Sequence, residues 1–152
     1  MNELKFKIEA PEHGWMDVTV SDGSKEISLV VSDVPCNSLH KLANILLGLQ
    51  SGAKSEVVEF SLEPDFALWK FQAKDEELEL YVYPNSSGNN PVLFIGKREK
   101  VIHRLYKALR DLESLSCWKE SDAMSNIWSW EFPSKELNLF STRAKSSKKA
   151  IK

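Results

Sequence analysis

Long apolar runs are missing from this chain of 152 residues. No stretch approaches the roughly eighteen residues that a membrane-crossing helix requires, so no membrane partner is expected. The N-terminal stretch MNELKFKIEAPEHG carries charges where a secretory leader needs an apolar segment. A cytoplasmic location is the resulting expectation. Cysteine is scarce: Cys36 and Cys117 stand far apart and outside any CxxC pair, which reads as two buried thiols and not as a disulfide framework. Histidine is scarce too, with only His13, His40 and His103, none in an HExxH or HxH setting. Cys36 and His40 are four apart, which supplies two metal ligands where a structural zinc needs about four. The few glycines form no phosphate-cradling run ahead of a Lys-Ser/Thr pair. No cofactor and no metal are therefore expected.

What is present suits one folded domain. Apolar residues make up 42% of the chain and charged residues 28%, a mixture that favours a single core over disorder. The formal net charge of -2 hides an asymmetry. Residues 143–152, RAKSSKKAIK, hold five of the twenty Lys and Arg and none of the 22 acids, leaving 15 basic against 22 acidic side chains in residues 1–142. The expected division is a single domain over 1–142 and a flexible basic tail over 143–152. An acidic body repels nucleic acid and attracts a basic protein.

Periodicity supplies the element order. Leu4, Phe6 and Ile8 alternate with charged residues over 3–9, the pattern of a strand with one wet face. Strands over 15–21 and 25–32 follow, with an Asp22-Gly23 hairpin signal between them. Pro35 fits a first helical turn, and Leu39, Leu42, Ala43 and Leu46 recur at helical spacing. Gly48 and Gly52 are candidate C-caps. Strands are expected over 56–62, 66–73, 77–83 and 91–96, then an amphipathic helix over about 97–115. The apolar face of that helix is Val101, Ile102, Leu105, Leu109 and Leu112. From Ser116 to Asn126 the pattern blurs. Trp128, Trp130 and Phe132 alternate like a short extended segment, and Pro133 opens a last short helix through Phe140. The fold class is α+β: an antiparallel sheet of six to seven strands packed against two amphipathic helices. Its order is βββ-α-ββββ-α, closed by an aromatic C-terminal segment.

No catalytic residue emerges from the sequence. Cys36 near a helix start with His40 would make a nucleophile and base, but no orienting carboxylate can be placed. Glu76, Glu77 and Glu79 would suit a carboxylate pair, yet they read first as the wet face of a hairpin. Trp15 and Trp69 lie in strand patterns and read as core. Trp128 and Trp130 point the same way if extended, and carry two readings: packing of the terminal segment, or an exposed patch for a protein partner. Candidate partner-binding residues are Trp128 and Trp130, with acidic contacts from Glu63, Asp65, Asp75, Glu76 and Glu77.

Several short motifs carry a family resemblance. They are His13-Gly14-Trp15, Ser32 with Val34-Pro35, Leu39, Leu47-Gly48, the Glu63-Pro64 turn, the Trp69 strand, and Phe132-Pro133 followed by Glu136-Leu137. Together they span most of residues 3–140. The chain resembles small bacterial proteins similar to the immunity partners of polymorphic toxins. That resemblance implies a non-catalytic, stoichiometric inhibitor that binds one toxin domain without a cofactor; the acidic composition of residues 1–142 separately suits a basic toxin domain. The motif positions look like structural markers and carry no binding epitope. The alternatives are an adaptor or structural module that forms a homodimer through its aromatic surface, and an enzyme with an unrecognised site.

Overall fold

Alternating apolar and polar residues become a seven-stranded antiparallel sheet whose spatial order follows the chain, β1 through β7. The computed structural model describes residues 3–88, 90–118 and 128–151. The strands are β1 Lys5–Ile8, β2 Trp15–Ser21, β3 Glu26–Ser32, β4 Ser55–Ser61, β5 Phe66–Lys74, β6 Glu77–Tyr83 and β7 Val92–Lys97. Helix α1 (Ser38–Gln50) joins β3 to β4, and α2 (Arg98–Glu113) follows β7 directly. A 3-10 turn covers Ser116–Trp118, and α3 spans Ser134–Ile151. The expected α+β order holds. Residues 119–127, where the sequence pattern blurs, lie outside the described residues.

The sheet curls strongly. Phe6 on β1 and Trp69 on β5 approach to 5.6 Å between ring centroids, so strands far apart in the order face each other across the interior. Val18, Val58, Phe60, Trp69, Phe71, Leu80 and Phe94 line this concave side and are fully buried. The helices close it. Helix α1 contributes Leu39, Leu42, Ile45 and Leu46, and α2 contributes Val101, Leu105, Leu109 and Leu112 to the same core. Helix α2 packs on both β1 and β7, covering the opening between the two edge strands. A Cβ on Gly96 would meet Val101 Cγ2 at 2.8 Å, so this glycine lets α2 lie close to β7.

Local chemistry sets the element ends. Asn37, not Pro35, caps α1: its Oδ1 accepts the His40 N–H at 3.2 Å, and Pro35 stays outside the helix. At the other end Gly52 has φ +97. The Ala53 N–H reaches Gly48 O at 2.9 Å and the Gly52 N–H reaches Leu49 O at 3.1 Å, the paired bonds of a Schellman cap. The Arg98 guanidinium donates to Leu49 O at 2.6 Å, placing a cation on the negative end of α1. The basic start of α2 thus serves the neighbouring helix.

The C-terminal region differs from expectation in two ways. Residues 128–133 form no strand; the chain bends at 129–130, so Trp128 and Trp130 point differently. The last helix also continues past Phe140 to Ile151, through most of the segment set apart as a flexible tail. Arg143 and Lys145 fall in its C-terminal half, where positive charge complements the helix dipole. The helix is pinned at its start. Gln50 donates to Phe140 O at 2.9 Å, Arg110 donates to Asn138 Oδ1 at 2.8 Å, and Tyr106 stacks on Phe140 at 4.8 Å.

Candidate functional site

One end of the sheet gathers five connecting segments: the β1–β2 turn (9–14), the β3–α1 loop (33–37), the β4–β5 turn (62–65), the β6–β7 loop (84–91) and residues 128–133. Loops on a rigid sheet are where binding residues concentrate. His13 and Gly14, with φ 52 and 82, make a two-residue turn between Glu12 and Trp15, which exchange both backbone bonds. That turn sets Trp15 on the outer face. A continuous register row then crosses four strands as Trp15, Ser32, Ser61 and Phe66, all facing outward. It spans about 14 Å at the usual strand spacing. The two serines are buried, and Ser32 Oγ donates to Glu63 Oε2 at 2.5 Å.

Asp33 ties the C-terminal segment to this row. It is 7% exposed, and its Oδ2 accepts both the Ser129 N–H and Ser129 Oγ at 2.7 Å. The Trp130 indole donates to Asp33 O at 2.6 Å, and the Asp33 N–H donates to Gly14 O at 2.9 Å. The result is a patch in which Trp15 (38%), Val34 (41%), Phe66 (37%) and Trp130 (37%) are the exposed large apolar side chains. Asp65 lies beside it. Hydrogen bonds from Ser86, then the Phe66 N–H, hold its carboxyl below the ordinary range, against a smaller upward push from desolvation, so it is ionised at neutral pH.

The residues singled out in the sequence therefore divide into three groups. Trp130, Glu63 and Asp65 come together at this end. Trp128 does not join them; at 1% exposure it is part of the core, and its indole is closed to a partner. Asp75, Glu76 and Glu77 sit at the far end of β5, a nine-residue strand, roughly 25–30 Å away. Sequence reasoning assigned Trp15 to the core, and the structure turns it outward. The signal was available, because Trp15 has the opposite parity to Val18 and Val20 on the same strand. Nothing local marked Asp33 or Ser129, since their meeting joins residues 96 apart.

The nucleophile reading of Cys36 finds no support in the geometry. Burial foremost, and then the Glu59 charge, push its thiol pKa up, opposite to what a reactive thiolate requires. His40 is turned elsewhere: its Nε2 lies 3.1 Å from Glu136 Oε1, and the Asn44 amide donates to its Nδ1 at 3.2 Å. Both cysteines are free thiols and only partly buried. Among the described residues, no group of three His, Cys, Asp or Glu side chains is arranged to hold a metal ion, and no helix is long and apolar enough to cross a membrane. Comparisons with protein-family models, curated proteins and solved structures find no match to this chain.

Proposed function

We propose that the chain is a non-catalytic protein-binding module and, following the family resemblance of its motifs, an immunity-type inhibitor that neutralises one bacterial toxin by one-to-one occlusion. The supporting observation is the set of exposed apolar side chains at one end of the sheet, with Trp15 and Phe66 at the starts of β2 and β5 and Val34 and Trp130 on segments joined through Asp33. Exposed aromatics in a fixed setting supply contact area at little entropic cost, and tryptophan is enriched among residues that dominate binding energy. Trp130 is the proposed anchor.

The test is a pull-down from the native bacterial lysate with the purified chain as bait. The expected result is one stoichiometric partner bearing a toxin-like domain, whose activity is abolished at one molar equivalent. Trp130→Ala should weaken that complex about tenfold or more, with far-UV circular dichroism unchanged. Recovery of the bait alone, from a lysate shown to contain the products of neighbouring genes, would overturn the reading. Concentration-dependent dimers in light scattering would then favour self-association through the same aromatics.

A further inference from the structure

The five segments at the aromatic end contain Glu9, Glu12, Asp33, Glu63, Asp65 and Glu131 but not one of the twenty Lys and Arg. His13 is the only other titratable base there. The opposite end is mixed, with Lys25, Lys54 and Lys97 on its turns and strand ends beside Asp22, Asp75 and Glu76. Among the described residues the acidic excess is thus sorted in space: the five segments that carry the exposed aromatics hold no Lys or Arg of their own, and Lys7 of β1 reaches them only as the partner of Glu9. Asp33 is used internally by Ser129, and Glu9 pairs with Lys7 at 3.2 Å. Glu12, Glu63, Asp65 and Glu131 remain, interleaved with Trp15, Phe66 and Trp130. Glu63 accepts a hydrogen bond from Ser32 on one oxygen, Asp65 accepts the Phe66 and Ser86 N–H groups on one oxygen, and both are thereby held in place.

We infer that this acidic, aromatic end binds a cationic segment of a protein, with Arg or Lys side chains lying over the exposed rings and against the Glu63 and Asp65 carboxylates. This rests on the protein-binding reading above. Carboxylates and ring faces both attract a guanidinium, and an acidic excess steers its encounter. The same field repels phosphate and so disfavours nucleic acid on this face.

The probe is a nona-arginine peptide titrated into the 15N-labelled full chain, with nona-glutamate as control. Saturable shifts at the Trp15 and Trp130 indoles and at residues 62–66 are expected. The double variant Glu63→Gln/Asp65→Asn keeps the acceptor oxygens that the fold uses and should weaken binding about tenfold. Asp75→Asn/Glu76→Gln at the other end should change it less than about twofold. Shifts spread over the whole surface, or equal losses in both double variants, would overturn the inference. A captured toxin-domain partner that binds the Glu63→Gln/Asp65→Asn chain undiminished at low salt would also overturn it, leaving the immunity reading intact. Localised nona-arginine binding without any captured partner would do the reverse.

Discussion

Replacing Asp33 probes the attachment of the C-terminal segment to the sheet. Its buried carboxylate accepts two hydrogen bonds from Ser129, both at 2.7 Å. A hydrogen bond to a charged group contributes about 1.5–3 kcal/mol. Asp33→Ala loses both bonds but also removes the cost of burying the carboxylate, so the net destabilisation should be about 2–4 kcal/mol. Against a typical domain stability of about 5–15 kcal/mol that is a large fraction. Asp33→Asn keeps one acceptor oxygen and should cost about half as much. The Trp130 indole bonds to the main-chain oxygen, so both variants leave that contact in place. Urea unfolding followed by tryptophan fluorescence gives the free energies. The double-mutant cycle with Ser129→Ala should show coupling of about 1–3 kcal/mol. An Asp33→Ala chain within about 0.5 kcal/mol of the parent, or additive single variants, would refute the latch.

Three further outcomes are expected. A Cβ on Gly48 would collide with Glu56 Oε1, the end of a flexible side chain. Gly48→Ala should therefore be close to neutral alone but stabilising by about 0.5–1 kcal/mol in a Glu56→Ala background; an equal change in both backgrounds by urea titration would dismiss the contact. At the β2–β3 turn, desolvation pushes the Asp22 carboxyl up, but bonds from Ser24 and Lys25 outweigh it and bring the pKa from 3.8 to about 2. A depressed acid stabilises fully above its unfolded value and loses that contribution as pH falls through the folded one, so Asp22→Asn should lose less stability than the parent between about pH 4 and 2; carbon-13 titration of the Asp22 carboxyl checks the value. Finally, Cys36 should alkylate with iodoacetamide more slowly than a free thiol at pH 8, and Glu59→Gln should speed it, because removing the negative charge eases thiolate formation; no change on substitution would discount the Glu59 contribution.

Strand content was legible because period-two patterns such as Leu78, Leu80 and Val82 survive into burial. Helix α2 was legible for the same reason at helical period. Curvature was not, since the approach of Phe6 to Trp69 depends on how the five strands β1 to β5 twist together and not on any local residue. The proposed binding face was half legible. Glu63 and Asp65 were visible as acids in a turn, and Trp130 as an aromatic without a core pattern. Trp128 and Trp130 were separated only by a bend that follows from the distant Asp33. Asp75, Glu76 and Glu77 look identical to Glu63 and Asp65 in composition, and only strand length places them at the other end.

The ladder between β3 and β4 consists of a single residue pair, Ser32 with Ser61. The backbone network is therefore two short-range meanders, each closed by neighbours in sequence, sutured at one point and bridged by α1. Short-range pairing is quick to form, whereas the meeting of β1 with the second meander must close a long loop. Amide exchange should accordingly report two cooperative blocks, with the seam between them opening ahead of either interior.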